Sequence, residues 1–210
     1  EQGHPWIYAA EVLAEEGEAE NGALADAVSE KGKYLGTGFV SRESKIRLRL
    51  ISRNANDRFD EAFWHRRLQY AWDYRKTVMG EDLDGCRLIF GEADGFPGLT
   101  VDRFGPVLAA QVLSLGVELR KERILGDLVQ LLRDDGERID AVYLRNDVKL
   151  RQKEGLQQGK GFLSLPGLRT DLDGHVEIVE NGVHYDVDYV NGQKTGFFLD
   201  QRYNRAAIRP

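Results

Sequence analysis

The chain has 210 residues, of which 41% are hydrophobic and 30% charged, a balance typical of a folded soluble protein. Three Trp, eight Tyr and nine Phe supply more apolar surface than a disordered chain contains, and no run of about 20 apolar residues predicts a membrane-spanning helix. A single Cys and four scattered His argue against disulfides and a metal site. With no basic-then-apolar leader, we expect a cytoplasmic protein.

The net charge of −6 conceals a division along the chain. Residues 1–30 carry eight acidic side chains and no Lys or Arg, whereas residues 31–58 carry eight basic side chains and two acidic ones. Residues 192–210 are basic again, through Lys194, Arg202, Arg205 and Arg209. Because a local excess of positive charge attracts polyanions whatever the overall charge, both basic segments are candidate nucleic-acid contacts.

Short β-like runs punctuated by glycine predict a small β domain over the first 53 residues. Its clearest strand covers residues 45–50, where alternation predicts an apolar face and a basic face: Ile46, Leu48 and Leu50 against Lys45, Arg47 and Arg49. We expect the basic face to present three cations in a row. The segment Gly36-Thr37-Gly38 lacks the third glycine of a dinucleotide-binding pattern and is interpreted as a turn.

A capping cluster at residues 54–57 predicts a helix that begins at Asp57 and runs to about Met79. Its apolar stripe comprises Phe63, Trp64, Leu68, Tyr70, Ala71, Tyr74 and Val78. A second unit follows, with a helix predicted across residues 118–132, a turn at 94–98 and strands at 86–90, 99–103, 107–113 and 139–144. Asn181-Gly182, between residues 176–179 and 183–190, is typical of a hairpin with a type I′ turn.

Three motifs that suggest chemistry are better explained by structure. Residues 192–196 contain Lys-Thr beside glycines, but a phosphate-binding loop needs glycine directly before the lysine, where this chain has Gln193. Glu92 and Asp94 lie in a turn, where acids commonly accept hydrogen bonds from backbone amides. Cys86 has no flanking His or Lys to lower the pKa of its thiol, so a buried strand residue is favoured over a nucleophile.

Two segments remain as candidate sites. In residues 33–42, glycines allow close approach, Tyr34 and Phe39 are suited to stack on bases, and the cations are suited to meet phosphates. A solvated β face explains the same residues equally well. For residues 192–205 the ordinary interpretation is a helix start, at which Asp200 and Asn204 form hydrogen bonds and the arginines are solvated.

Four motifs occur in the order seen in one family. They are Gly-His-Pro-Trp-Ile-Tyr at residues 3–8, Tyr34 followed by Ser-Arg-Glu-Ser-Lys-Ile-Arg at 41–47, Gly-Glu-Ala-Asp-Gly-Phe-Pro-Gly-Leu-Thr-Val-Asp-Arg at 91–103, and Gly-Gln-Lys-Thr-Gly-Phe-Phe-Leu-Asp-Gln-Arg-Tyr-Asn-Arg at 192–205. On these residues the whole chain resembles the three-domain bacterial and archaeal large-subunit rRNA cytosine-5 methyltransferases, which use S-adenosylmethionine. The last two motifs are the specific ones.

The resemblance implies an α+β, multidomain fold. Residues 1–54 would form a PUA-like RNA-binding β domain, residues 57–190 a central α+β domain, and residues 191–210 the start of a Rossmann-like methyltransferase domain whose remainder is absent. In that family a cysteine thiolate adds to the cytosine ring before methyl transfer, and Cys86 lies outside the corresponding motif. We therefore expect a catalytically inactive portion of a 23S rRNA methyltransferase, which contains no catalytic residue and does not itself bind S-adenosylmethionine.

The resemblance also implies site residues. The expected RNA-binding residues are Lys33, Tyr34, Gly36, Arg42, Lys45, Arg47 and Arg49. The residues expected near the cofactor or target base of the full enzyme are Lys194, Thr195, Gly196, Phe197, Asp200 and Arg202. Ribosomal RNA is the expected partner, with no membrane and no metal, and a homodimer is left open. Two alternatives also stay open: a non-catalytic RNA-binding adaptor, and an rRNA guanine methyltransferase relative.

Overall fold

A computed structural model describes residues 3–208, except for the side chain of Glu81. Glu1 and Arg209, which contribute to the charge blocks of the sequence, lie outside the described residues, as do the outermost positions of the predicted first and third domains. Within the described range, no helix combines the length and the apolar character needed to cross a membrane.

Four antiparallel strands form the first sheet: β1 (Trp6–Tyr8), β2 (Leu24–Val28), β3 (Tyr34–Val40) and β4 (Ile46–Ser52), in the order β1-β4-β3-β2. As alternation predicts, Leu48 and Leu50 of β4 lie in a small apolar cluster with Val40. The opposite face of the sheet is covered as well, because Phe39 and Ile51 belong to the main core of the molecule. The predicted basic face of β4 is therefore only partly open to solvent.

The segment Gly36-Thr37-Gly38 lies inside β3, so its interpretation as a turn is wrong. The backbone of β4 approaches so closely that a Cβ atom at position 36 would lie 2.6 Å from the Ser52 carbonyl oxygen. A Cβ atom at position 38 would overlap the Arg49 carbonyl group. The two glycines thus allow β3 and β4 to pair tightly where their register shifts.

Helix α1 (Glu61–Met79) ends where the sequence predicts but begins later than position 57. Asp60 is the N-cap, and its side chain accepts a hydrogen bond from the Phe63 backbone N–H at 3.0 Å. Asp57 instead accepts a hydrogen bond from the Ser52 hydroxyl at the end of β4. Three of the seven residues of the predicted apolar stripe lie outside the core: Phe63, Trp64, Leu68 and Ala71 are buried, whereas Tyr70, Tyr74 and Val78 are exposed.

The second sheet contains β5 (Gly85–Phe90), β6 (Leu99–Phe104), β7 (Val107–Val112), β8 (Ala141–Asn146) and β9 (Gly159–Phe162), in that order. Neighbouring strands are antiparallel except for β7 and β8, whose parallel pairing requires a crossover. The single helix predicted for residues 118–132 is two helices, α2 (Leu115–Glu118) and α3 (Lys121–Asp134). Strand β9 has no counterpart among the predicted elements, because its four residues include two glycines and show no apolar alternation.

Each face of the second sheet has its own core. Helices α1 and α3 cover one face, where their apolar side chains form a core with residues of the sheet such as Leu108 and Ala110 of β7. The hairpin of β10 (His175–Glu180) and β11 (Val183–Asp188) covers the other face, and residues 189–199 then lead to α4 (Arg202–Ala207). Asn181 and Gly182 have φ angles of 50° and 75°, as a type I′ turn requires, which confirms the predicted hairpin.

The two sheets meet where Gly116 of α2 lies directly against the Phe39 ring of β3. The Arg120 guanidinium lies 4.7 Å from the centroid of the same ring and donates a hydrogen bond to the Gly22 carbonyl at 3.0 Å. On its other side Phe39 stacks with Trp64 of α1, with ring centroids 6.0 Å apart. The junction is therefore packed without space for an additional methyl group.

We expect Gly116→Ala to lower the free energy of unfolding by about 1–3 kcal/mol, because the new Cβ atom would overlap the Phe39 ring in a packed core. Urea denaturation followed by Trp fluorescence measures this change. Gly159→Ala is the matched control, since no heavy atom lies within 4 Å of a Cβ at that position. Equal stability of the two variants would contradict the tight junction.

Candidate nucleic-acid interface

Lys33 and Lys45 are exposed on the first sheet, immediately before β3 and immediately before β4. Neither ammonium group takes part in the ion pairs formed by the described residues. The backbone N–H of Lys33 donates a hydrogen bond to the Ser29 hydroxyl at 3.1 Å, which fixes the turn that carries this lysine. Both ammonium groups are positioned to meet an anion from solvent.

Arg42 and Arg47 share one carboxylate, that of Glu15, at 3.0 and 3.4 Å. Arg42 also donates to the Ala19 carbonyl at 2.8 Å, and Arg47 to the Ser41 carbonyl at 3.2 Å. The acidic N-terminal segment thus partly neutralises the basic segment that follows it. Because the Arg42 and Glu15 side chains are both more than two-fifths exposed, their pairing contributes only about 0–1 kcal/mol, and a phosphate group can compete for the guanidinium.

Arg49 does not lie on an exposed face, so the expectation that β4 presents three cations in a row to solvent is wrong. Its side chain is only 10% exposed and pairs with the buried Glu154 at 2.8 Å and with Glu92 at 3.6 Å. Its guanidinium also lies 5.2 Å from the centroid of the Trp6 ring. Position 49 shares a sheet face with Ile51, and the second unit of the protein covers that face. Alternation places Arg49 correctly, but the face is a junction rather than a solvated surface.

Tyr34 and Gly36 occupy the strand beside these cations. Tyr34 is half-buried, and its hydroxyl lies 2.7 Å from that of Thr37, which donates a hydrogen bond to Asp26. Gly36 is buried beneath the Ser52 carbonyl group, so it does not offer open backbone to a ligand. The structure gives Gly36 a role in strand pairing, and its contact with RNA stays a prediction that this geometry does not support.

The turn acids Glu92 and Asp94 have the structural role favoured by the sequence. Asp94 accepts two hydrogen bonds from Arg75, at 2.9 and 2.6 Å, and a third from the Phe90 backbone N–H. Glu92 accepts a hydrogen bond from the Trp6 indole N–H at 2.6 Å and joins the Arg49 ion pair. Neither carboxylate is available as a catalytic acid or base.

Cys86 is a core residue, as its position in a predicted strand indicates. Its side chain is buried, and its thiol lies 3.2 Å from the Leu83 carbonyl oxygen. Burial raises the pKa of this thiol to about 12, so it stays protonated at neutral pH and is a poor nucleophile. Among the described residues, no cluster of three or more His, Cys, Asp or Glu side chains is arranged to hold a metal ion.

The basic segment at residues 192–205 is tied to the second unit by its own side chains. Thr195 is buried and donates a hydrogen bond to Asp102. Asp102 also accepts a hydrogen bond from Arg87 at 2.7 Å, with which it forms an ion pair. Lys194 pairs with Asp200 at 2.7 Å and thereby holds the pKa of the Asp200 carboxyl below its ordinary value. The remaining partners are carboxylates on other elements, with Arg202 paired to Asp82 and Arg205 to Glu180. The arginines are therefore bound rather than solvated.

A cleft of about 620 Å³ opens between the end of β4, helix α1 and the turn at residues 91–95. Its lining includes Arg53, Arg66, Arg67 and Tyr70, and we call it the arginine cleft. The sequence reasoning missed this site because it assigned Tyr70 to the core. The i, i+4 spacing of Arg66 and Tyr70 is the signal that these two side chains share a helix face.

The residues predicted to hold the cofactor do not form a cradle for it in this chain. None of the six lines the arginine cleft. Thr195 is buried against Asp102, Lys194 and Asp200 pair with each other, and Arg202 pairs with Asp82, while the partly buried Phe197 packs in the core beneath the second sheet. Gly196 has a φ of 139° and lies against the Tyr189 backbone. These groups satisfy one another and do not converge on an open space.

The comparisons with known proteins agree with this architecture. Residues 1–53 match the family described as a PUA-like domain. Ribosomal RNA large subunit methyltransferase I of Klebsiella pneumoniae is 41% identical over 207 residues, which are 98% of this chain and 50% of that protein. The protein of the same name from Escherichia coli O139:H28 is 39% identical over 209 residues, with the same coverage. The chain therefore spans about half the length of the curated relatives it matches.

Two solved structures share the fold. A putative SAM-dependent methyltransferase from Streptococcus mutans aligns with a TM-score of 0.73 at 21% identity, over 97% of this chain and 49% of that one. A second putative methyltransferase, solved in complex with SAH, aligns with a TM-score of 0.75 at 21% identity, over 97% of this chain and 48% of that one.

The fold and the basic sheet define a class: a PUA-like domain joined to a mixed α/β unit of the kind found in solved methyltransferases. The sequence match over nearly the whole chain is more specific. Over 98% of its length the chain is related to ribosomal RNA large subunit methyltransferase I, of which it spans about half the length. This confirms the resemblance carried by the motifs at residues 91–103 and 192–205.

We expect Glu154→Gln to destabilise the protein by about 3 kcal/mol, because it leaves the buried Arg49 guanidinium without its nearest counterion. Glu15→Gln is the matched control, since it removes a carboxylate from an exposed pair and should cost less than about 1 kcal/mol. Urea denaturation of both variants makes the comparison. A Glu154→Gln variant as stable as Glu15→Gln would show that the Arg49 ion pair does not stabilise the junction.

Proposed function

We propose that the chain is the RNA-binding portion of a longer S-adenosylmethionine-dependent methyltransferase that modifies cytosine at carbon 5 in 23S ribosomal RNA. The observation that carries this proposal is the similarity to ribosomal RNA large subunit methyltransferase I over 98% of the chain. The choice of cytosine carbon 5 rests on the motif resemblance alone. The PUA-like match and the exposed Lys33 and Lys45 support the RNA-binding role.

S-adenosylmethionine is the proposed cofactor of the longer protein, in which it supplies the methyl group that is transferred. A structural neighbour in complex with SAH supports this choice. We propose that the residues that hold the cofactor lie in the part of the relatives that this chain does not span, since the predicted cofactor residues bind one another and nearby carboxylates. On its own, the chain is then catalytically inactive.

The proposed division of the chain is an RNA-binding domain at residues 1–54, a central domain at 57–190 and the entry to the methyltransferase domain at 191–210. The PUA-like match to residues 1–53 and the two separate sheets support the first boundary. We propose that the protein is cytoplasmic, because the cytoplasm is where ribosomes are available as substrates. Self-association into a homodimer is a further expectation, which sedimentation measures.

The RNA-binding role has a simple electrostatic basis. Arg42, Lys45 and Arg47 lie close together around the connection from β3 to β4, and Lys33 lies at the opposite end of β3; each can neutralise one phosphate. Each contact with RNA releases condensed counterions, so binding weakens as salt concentration rises. Four contacts with a single strand correspond to a log–log slope of about −2.8. Glu15 competes with phosphate for both arginines, which limits affinity without abolishing it.

We expect the double change Lys45→Glu with Arg47→Glu to weaken the binding of labelled single-stranded RNA by at least about tenfold, and to make the salt slope shallower by about 1.4, because two phosphate contacts are lost. Fluorescence anisotropy over a series of salt concentrations measures both quantities.

The matched control is Arg138→Glu with Arg169→Glu, which produces the same change in net charge on side chains that are 77% and 54% exposed. These residues precede β8 and follow β9, outside the first sheet. Circular dichroism verifies that both double variants are folded. Equal RNA affinity of the two double variants would refute the proposed binding face.

A further inference from the structure

The arginine cleft lies outside the binding face predicted from the sequence. It is bordered by the end of β4 on one side, by α1 on the other and by the turn at residues 91–95 at its base. Because it is formed jointly by the first sheet and the second unit, it exists only while the two are packed together. Arg53, Arg66 and Arg67 supply three cations to its lining.

The acids that line the cleft are already engaged in internal contacts. Asp94 is held by both guanidinium nitrogens of Arg75, and Glu92 by Trp6 and Arg49. The Asp57 side chain is 16% exposed and accepts hydrogen bonds from Ser52 and Asn54. The charges of Glu92 and Asp94 are therefore balanced by arginines outside the cleft, whereas Asp57 pairs with Arg66 at 3.7 Å. Arg53 and Arg66 are exposed, and Arg67 is partly buried.

The three arginines are held in position with donors to spare. The Arg67 guanidinium lies 4.5 Å from the centroid of the buried Phe63 ring, and that of Arg66 lies 5.7 Å from it. Arg53 donates hydrogen bonds to the Gly3 and His4 carbonyls at 2.8 and 3.1 Å through a single nitrogen. A guanidinium carries five N–H donors, so each arginine keeps donors for an incoming anion.

Asp57 is the carboxylate that acts on both Arg66 and Arg67. Burial has the largest effect and lowers the pKa of the Arg67 guanidinium; Asp57 raises this pKa, and the neighbouring Arg66 lowers it by a smaller amount. The closest carboxylate contact of Arg66 is a distant one, 3.7 Å from Asp57, and the Arg66 side chain is 47% exposed. A phosphate bound between the two arginines would relieve their mutual repulsion.

Two exposed tyrosines continue the same surface. Tyr70, which lines the cleft, is 64% exposed, and Tyr74 is 59% exposed one turn further along α1. With Arg66 they recur at intervals of four residues, so they form a row spaced by about 6 Å along one helix face. Aromatic rings beside cations are the combination with which proteins bind unpaired bases and their phosphates.

We propose that the arginine cleft and the tyrosine row of α1 bind a single-stranded segment of RNA, with phosphates at Arg53, Arg66 and Arg67 and bases stacked on Tyr70 and Tyr74. This inference rests on the proposed function and extends it to a second surface. RNA would then contact both the first sheet and α1, so that the proposed central domain at residues 57–190 also takes part in binding. The cleft selects unpaired RNA, because bases inside a duplex cannot reach the tyrosine rings.

The test compares variants of the chain against two probes, a labelled single-stranded RNA of about twelve nucleotides and a duplex of the same sequence. Tyr70→Ala should weaken single-strand binding at least about fivefold, whereas Tyr70→Phe, which keeps the ring, should stay within about twofold of the parent protein. Arg66→Glu should weaken binding and make the salt slope shallower by about 0.7, and Arg138→Glu is its charge-matched control.

The outcomes separate this inference from the proposed function. If the parent protein binds neither probe, the proposed function fails together with this inference. If the parent protein binds RNA but Tyr70→Ala and Arg66→Glu bind it equally well, only the cleft proposal is overturned, and a protein partner becomes the occupant to seek. A Tyr70→Ala variant that loses duplex and single-strand affinity equally would also overturn it, because stacking on Tyr70 requires unpaired bases.

Discussion

The ion pair between Arg49 and Glu154 holds the first sheet on the second unit. The two residues are 105 positions apart in the sequence, and their side chains are 10% and 2% exposed. Leaving a buried charge without its partner costs free energy, so the two units separate only if water solvates both side chains at the same time. Glu92 adds to this constraint, because it pairs with Arg49 and also accepts a hydrogen bond from the Trp6 indole N–H of β1. The surface available to RNA follows from this junction.

The junction divides the arginines into two groups with different roles. Several are buried and paired, and they hold the fold together: Arg49, Arg75, Arg103, Arg145 and Arg151. Acidic side chains from other elements neutralise this group, and others, such as Glu15, pair with cations at the surface. The net charge therefore says little about RNA, since binding depends on the cations that remain exposed.

Local patterns could predict the elements whose formation depends on neighbours in the sequence. The end of α1, the alternation of β4 and the Asn181-Gly182 turn belong to this group. Strand β9 and the glycines inside β3 could not be predicted in this way, because tertiary pairing forms the first and a close approach of β4 requires the second. The motif resemblance identified the family from residues whose role no periodicity argument could have predicted.

The candidate site shows the same limit. Sequence reasoning found the exposed Lys33 and Lys45, but it also placed Arg49 on the surface, because alternation specifies which residues share a face and not what covers that face. Tyr70 was misplaced for the converse reason: an aromatic residue at helical spacing usually enters a core, and here it faces a cleft between two units. Both corrections depend on how the units pack.

Native-state hydrogen exchange over a series of urea concentrations tests most directly whether the two units form one cooperative structure. The amides of β4 and those of β7 should exchange through the same opening, with equal free energy and equal urea dependence. Exchange of the β4 amides through a smaller opening, while β7 stays protected, would show that the first sheet unfolds alone. The Arg49–Glu154 pair would then not be the constraint that joins the two units.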